Sequence, residues 1–152
     1  MEKLKDISVI NYDQFIVKKP TKPTLTKLKK EVWKLFSLWV RLGDADFQGM
    51  NTCCTCRKKY HYKKLQAGHF IPGRHNAVLF HEDLVHPQCY SCNFFLGGNP
   101  REYDKFMREK YGNQKVEEFD LLGKGKQNGY KEYTAEELEK LKFYYEDKIK
   151  KI

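Results

Sequence analysis

Residues 53–93 contain Cys53-Cys-Thr-Cys56, then Ala67-Gly-His-Phe70, then His86-Pro-Gln-Cys-Tyr-Ser-Cys-Asn93. Two Cys-x-x-Cys pairs therefore stand on either side of a histidine that follows a glycine. Thiolates suit a borderline-soft ion, and two intervening residues let both sulfurs of a pair reach one tetrahedral centre. The spacing predicts a zinc site whose role is structural, because four sulfur ligands leave no open position. Its predicted ligands are Cys53, Cys56, Cys89 and Cys92.

Other uses of the cysteines are less favoured. Cys54 is adjacent to Cys53, but a pair with Cys56 would have one intervening residue, which is the less usual spacing. No apolar leader is visible, so we expect a cytoplasmic protein, in which cysteine pairs are metal ligands before they are disulfides. A redox Cys-x-x-Cys is an alternative, although nothing nearby has the βαβ pattern of a thioredoxin. No stretch has the ~18 apolar residues of a membrane span, so we expect no membrane partner.

The charge of the chain indicates a polyanionic partner. Its 152 residues have a formal net charge of +9, and no carboxylate occurs from Phe47 to His81. Phosphate contacts by basic side chains give affinity without sequence preference, so we expect DNA to be recognised by shape. Tyr60 and Tyr62 either pack at the first cysteine pair or stack on bases. The predicted DNA-binding residues are Arg57, Lys58, Lys59, Lys63, Lys64 and Arg74.

Flanking segments predict an α+β fold in three parts. Residues 1–23, with Lys18-Lys-Pro-Thr-Lys-Pro23, read as a basic arm. Residues 24–122 are predicted to hold a helix, capped near Thr24 or Thr26, and then the cysteine region and further helices. Residues 123–152 are predicted to be a loop and a final helix, which begins at the capping box of Thr134 and Glu137.

Two short strands are expected within the cysteine region. Leu65–Phe70 and Ala77–Phe80 are apolar runs separated by Pro72-Gly73, which is typical of a loop. A short helix is predicted from Asn93 to Gly97. Asn99 and Pro100 have the residue types of a helix start, and Gly112 suits the helix end. A further helix is predicted near residues 114–122.

The motifs Gln66-Ala-Gly-His-Phe70, His86-Pro-Gln-Cys-Tyr-Ser-Cys-Asn93 and Leu96-Gly-Gly-Asn99 resemble those of the phage NinG/Rap recombination endonucleases. The resemblance extends over most of the chain. It implies a small ββα-metal (HNH-like) core, braced by the four-cysteine zinc site and flanked by N- and C-terminal helices. It also implies a metal-dependent endonuclease that cuts branched DNA, such as D-loops and Holliday junctions, in the cytoplasm of a bacterial host.

The same resemblance implies roles for single residues. His69 would be the general base, and Asn93 would bind a catalytic Mg²⁺ or Mn²⁺ ion, with zinc as the structural ion. His86, Gln88 and Asn99 match family positions beside that ion. HNH enzymes usually have a carboxylate before the base, but this chain has Gly68. Asp83 is then the expected carboxylate ligand, ahead of Glu82 or a carboxylate from another element.

A second interpretation is a zinc-ribbon module that binds DNA and recruits recombination proteins without cutting. The missing carboxylate before His69 is its main support. A homodimer is plausible in either case, because resolving a junction takes two cuts, but the sequence shows no interface.

Overall fold

A computed structural model describes residues 23–73, 75–124 and 132–152. Three predicted parts lie outside the described residues, namely residues 1–22 of the arm, Arg74, and residues 125–131 of the loop. Short 3₁₀ turns are formed by Tyr62–Lys64 and Glu82–Leu84, and a π-helical turn is formed by Ser91–Phe95. In chain order the elements are α1 (Leu25–Leu42), β1 (Met50–Thr52), β2 (Lys59–His61), β3 (Leu65–His69), α2 (Asn76–Leu79), β4 (Val85–Cys89), α3 (Pro100–Tyr111), α4 (Asn113–Lys124) and α5 (Ala135–Lys150).

The predicted first helix is confirmed as α1. The Thr24 side chain accepts a hydrogen bond from the Lys27 backbone N–H, which caps the first turn. Residues four apart on one face are buried, so the helix presents a continuous apolar stripe to the core. The buried residues of that stripe are Leu28, Val32, Phe36 and Val40.

The last helix, α5, packs along α1. It begins with the predicted capping box, in which Thr134 and Glu137 satisfy each other's backbone N–H groups. Tyr145 meets Phe36 edge-on, with ring centroids 5.1 Å apart. Lys142 and Glu31 form an ion pair of 2.9 Å across the two helices. Together with one face of β3 and β4, these helices enclose the first hydrophobic core.

Two small antiparallel sheets lie beside this helix pair. β1 pairs with β2, and β3 pairs with β4 in a register that sets Gln66 opposite Gln88 and Gly68 opposite His86. The predicted strand Leu65–Phe70 is therefore confirmed as β3. The strand predicted at Ala77–Phe80 is wrong, because Asn76–Leu79 forms the helical turn α2.

β3 pairs with β4, and no sequence pattern described above predicts β4 as a strand. All five residues of β4 are buried, so the strand shows no alternation of apolar and polar side chains. It also contains His86, Pro87 and Gln88, which are not residues typical of strands. A short run buried on both faces cannot be assigned from periodicity alone.

The helices after the second cysteine pair form a second core. α3 starts at Pro100 as predicted, but Asn99 has a φ of +48° and its side chain makes no capping hydrogen bond. α4 is the predicted helix near residues 114–122. No helix in the described ranges has the length and apolar character needed to cross a bilayer. The second core contains Ile71, Val78, Leu84, Tyr103, Met107, Val116 and Phe119.

Candidate metal centre and active site

The four predicted zinc ligands come together in one cluster. Their Sγ atoms all lie within 4.8 Å of one another, and three of the four residues are buried. Four sulfurs at this separation can hold a metal ion such as zinc. In the described part of the chain, no other group of three or more His, Cys, Asp or Glu side chains converges in this way. The cluster consists of Cys53, Cys56, Cys89 and Cys92.

Backbone hydrogen bonds hold the two cysteine pairs together. The Cys89 N–H donates to Cys53 Sγ at 3.3 Å, and the Cys54 N–H donates to the Pro87 carbonyl oxygen at 2.8 Å. Burial raises the pKa of Cys53, but hydrogen bonds from Thr55 and from backbone amides outweigh it and lower the pKa to about 6. The first pair is thereby fastened to β4 and offers a thiolate to a metal ion.

Cys54 lies outside the cluster. Its side chain is buried in the second core, where burial raises the pKa of the thiol. The fifth cysteine is therefore a packing residue, and it provides a control for experiments on the ligands.

The Gln88 side chain occupies the space that a side chain at Gly68 would need. Its side chain is fully buried, and its Nε2 donates to the Gly98 carbonyl oxygen at 2.8 Å. Since a carbonyl oxygen only accepts, the amide orientation is fixed and Oε1 points away from Gly98. Oε1 has no hydrogen-bond partner although it is buried. A Cβ atom on Gly68 would lie 2.0 Å from Oε1, which explains why residue 68 bears no carboxylate.

The Asn93 side chain also lies close to Gly68. Its Nδ2 donates to Gln66 Oε1 at 2.7 Å, and its Oδ1 would lie 3.1 Å from a Cβ atom on Gly68. Two amide oxygens, from Gln88 and Asn93, therefore converge on the backbone of Gly68. Gln66 therefore orients Asn93, a role that the sequence did not reveal. The position of Gln66 opposite Gln88 follows only from the pairing of β3 with β4.

Gly68→Ala tests this packing. We expect the added methyl group to displace the Gln88 amide and to lower the free energy of unfolding by about 1–3 kcal/mol, as overpacking does. Gly43→Ala is the matched control, because Gly43 has helical φ and ψ of −50° and −40° and a Cβ there makes only an ordinary contact. Urea denaturation of both variants measures the difference; equal stability would contradict the packing of Gln88 on Gly68.

His69 stands at the end of β3, on the other side of the strand. It is half-buried and stacks on Trp33 of α1, with ring centroids 5.3 Å apart and an interplanar angle of 15°. Its Nε2 lies 3.2 Å from the Leu79 carbonyl oxygen. That oxygen only accepts, so Nε2 carries a proton, and in the neutral form of the ring the lone pair is on Nδ1. Neighbouring strand residues face opposite sides, so His69 faces α1 while Gly68 faces Gln88.

His86 is buried beneath α3. Its ring packs edge-on against Phe106, with centroids 4.8 Å apart. Burial lowers the pKa of His86 to about 3, so the ring is neutral at physiological pH. Its Nε2 lies 3.2 Å from the Asp83 carbonyl oxygen and 3.3 Å from the Tyr111 hydroxyl. These contacts connect the turn before β4 to the end of α3.

The two candidate carboxylates have other partners. Glu82 forms an ion pair with Lys148 at 2.7 Å and accepts a hydrogen bond from Tyr145 at 3.2 Å. Asp83 interacts with Tyr111 and, with burial, raises the pKa of that hydroxyl. Within the described residues Asp83 belongs to no cluster of three metal-binding side chains. Its predicted role as an ion ligand stays a prediction.

Asn99 lies beside the cysteine cluster, and the predicted DNA-binding residues that the structure describes are exposed. Asn99 Nδ2 is 3.8 Å from Cys92 Sγ. Arg57 pairs with Glu109 and has its guanidinium 5.2 Å from the centre of the Phe106 ring, so part of its charge is engaged. Arg74 lies outside the described residues. The other predicted DNA-binding side chains are exposed; they are Lys58, Lys59, Lys63 and Lys64.

A family model described as the bacteriophage lambda NinG protein matches residues 8–152. No curated protein and no solved structure matches the chain. The match includes the four-cysteine cluster, β3, β4 and the helices on both sides. Because it covers nearly the whole sequence, this chain belongs to the NinG family.

Proposed function

We propose that this protein is a metal-dependent endonuclease that cuts branched DNA, with β3, β4 and the helical segment after them as a ββα-metal core. One observation carries the proposal. The buried, unpartnered oxygen of Gln88 and the side-chain oxygen of Asn93 converge on Gly68, the residue before His69 in the sequence. Membership of the NinG family supports it, since that family implies a function related to phage recombination.

The two oxygens fit a hard divalent cation. Mg²⁺ prefers oxygen ligands, keeps several waters, and is commonly held by one or two protein groups together with substrate phosphates. An orphaned buried carbonyl oxygen is costly unless a partner satisfies it, and an ion or its bound water would do so. An ion bound at this point would stabilise charge on the scissile phosphate and on the leaving oxygen.

His69 would act as the general base. The Leu79 carbonyl oxygen and the Trp33 ring hold the imidazole in one orientation. In this tautomer Nδ1 takes the proton from the attacking water. The ring needs no carboxylate to fix it, because the backbone contact at Nε2 already does so.

A cleavage assay tests the proposed function. Zinc-loaded protein is incubated with linear duplex, single-stranded, forked and four-way DNA while Mg²⁺ or Mn²⁺ is titrated. We expect cleavage of the branched substrates that depends on the added ion. No cleavage of any DNA, with junction binding retained, would favour the second candidate.

That second candidate is a non-cutting zinc module that binds DNA in recombination. The absence of a carboxylate at residue 68 favours it, as does the position of His69 against α1. The two candidates differ in ion binding as well as in cleavage. Mn²⁺ titration followed by electron paramagnetic resonance should show a site in zinc-loaded protein that Asn93→Ala removes, if the first candidate holds.

DNA affinity should fall steeply with salt. Each phosphate contact that is lost should reduce the slope of log affinity against log salt by roughly 0.7–0.9. We therefore expect Lys63→Ala and Lys64→Ala each to flatten the slope. Lys140→Ala is the control, because Lys140 is an exposed lysine of α5 paired with Glu136. Filter binding at several salt concentrations measures the slope; an unchanged slope in both lysine variants would contradict contact at this turn.

A further inference from the structure

Three aromatic rings are exposed beside Asn93. Tyr90, Phe94 and Phe95 have relative exposures of 48%, 64% and 71%. Tyr90 and Phe94 stack with centroids 5.1 Å apart and an interplanar angle of 11°. Phe95 meets Tyr90 and Phe94 edge-on, with centroid distances of 5.4 Å and 5.5 Å. We call these three residues the aromatic platform. Single exposed apolar residues are normal, but a contiguous exposed cluster marks a binding surface.

The fold turns these rings outward for a local reason. Cys89 and Cys92 direct their sulfurs to the cysteine cluster, and Asn93 directs its amide to Gln66. The π-helical turn that carries Cys92 and Asn93 leaves the side chains of residues 94 and 95 exposed. Such turns are frequent at functional sites. None of the three platform residues belongs to a hydrophobic core among the described residues, so packing does not account for them.

The platform has basic neighbours. Leu65 pairs with Cys89 at the end of the two strands, and Lys64 and Tyr90 are the next residues in sequence beyond that pair. Lys63 and Lys64 are exposed, and the segment from Phe47 to His81 that supplies them contains no carboxylate. The occupant of this surface should therefore offer flat apolar faces together with negative charge. A protein partner offers that combination less readily than a nucleic acid strand does.

Among nucleic acids, unpaired nucleotides offer both exposed flat faces and negative charge. In a continuous duplex the faces of the bases are covered by their neighbours in the stack, whereas a single strand or a branch point exposes them. Proteins that bind single strands combine basic grooves with aromatic side chains on which bases stack. Stacking of this kind tolerates any sequence, because every base has a flat face.

We propose that Tyr90, Phe94 and Phe95 form a stacking platform for unpaired nucleobases of branched or single-stranded DNA, next to the proposed cleavage site. The inference deepens the proposed function by naming the feature of DNA that is recognised. It rests on that function only for the position of the cut, since stacking needs neither the catalytic ion nor hydrolysis.

Binding measured without added Mg²⁺ or Mn²⁺ tests the platform separately from cleavage. The probes are a single-stranded oligothymidylate, a fork with 2-aminopurine at its branch point, and a linear duplex, each titrated with zinc-loaded full-length protein. We expect a change in 2-aminopurine fluorescence when the fork binds. We expect the double substitution Phe94→Ala and Phe95→Ala to lower affinity for the fork and the single strand by roughly ten-fold or more, with duplex affinity unchanged.

Two further variants make the result specific. Phe143→Ala is the matched control, because Phe143 is a phenylalanine of α5 with 72% exposure, and its affinities should equal those of the wild type. Phe94→Leu with Phe95→Leu keeps apolar surface but removes the aromatic faces, so it should lose fork affinity as the alanine variant does.

Three outcomes would overturn the proposal. They are unchanged fork affinity in the alanine variant, an equal loss for fork and duplex, and wild-type affinity in the leucine variant. Sedimentation could also show a dimer for the wild type but not for the alanine variant, while both bind the fork equally well. That result would assign the surface to a second copy of this chain. Cleavage activity does not enter these readouts, so the endonuclease and the platform can fail separately.

Discussion

Cys89→Ala is expected to abolish zinc binding and to unfold the region from β1 to the π-helical turn. The four sulfurs connect segments that are 33 residues or more apart in sequence, and the cluster contains little other packing. The apparent free energy of structural zinc sites is roughly 10–16 kcal/mol at neutral pH. That is comparable to the whole stability of a small domain, roughly 5–15 kcal/mol, so losing the ion removes the fold of this region. Zinc content and far-ultraviolet circular dichroism measure the two effects.

Cys54→Ala is the matched control for Cys89→Ala. Cys54 is also buried but is not one of the four clustered sulfurs. We expect one zinc ion per chain in this variant, with a moderate loss of stability from the vacated space in the second core. Co²⁺ substituted for zinc gives an absorption spectrum that reports thiolate ligation, and Cys54→Ala should retain it. Loss of the spectrum in Cys54→Ala, or its retention in Cys89→Ala, would show that the ligand set is different.

His69→Ala is expected to slow DNA cleavage by about 10²–10⁴-fold while junction affinity stays close to wild type. Removing a general base typically costs this much in rate, and the imidazole is not part of the basic surface that we propose to bind phosphates. Exogenous imidazole should restore part of the activity, because it can occupy the space beside Trp33 that the substitution leaves. A purely structural role for the ring would not give this rescue.

His61→Ala is the control for His69→Ala. Like His69, His61 is half-buried and lies against an aromatic ring, that of Tyr62, with ring centroids 4.7 Å apart. It differs in lying on β2. We expect full cleavage activity in this variant. Single-turnover cleavage of a synthetic junction, with binding measured in parallel, separates a loss of rate from a loss of affinity. Equal losses in the two histidine variants would point to folding and would remove the case for a base.

The features that sequence alone predicted are those with local causes. α1 and α5 have capping residues at their first turns and apolar residues at helical spacing, so both were identified nearly to the residue. The cysteine cluster could be predicted because two-residue spacing is a requirement of coordination geometry, whatever the surrounding fold. The family could be recognised from short motifs around the same cysteines, and the family match confirms it.

The features that sequence missed depend on contacts between distant segments. β4 has no strand pattern, because its residues are buried on both faces by elements elsewhere in the chain. The glycine before His69 looked like the loss of a metal ligand, but the structure shows that Gln88 from the opposite strand occupies that space. The exposed rings of Phe94 and Phe95 had a sequence signal, an apolar run that begins directly after Asn93, whereas Tyr90 lies between the cysteines of the second pair. Only the fold shows that the run is not part of a core.

The packing of α5 against α1 affects how the chain emerges during translation. These helices are about a hundred residues apart, and α5 also binds the turn before β4 through Lys148 and Glu82. The first core therefore stays open, with the apolar face of α1 uncovered, until the ribosome has released the final helix. A stalled nascent chain that ends before residue 135 should expose that face to chaperones, whereas one that includes Lys150 outside the exit tunnel should not.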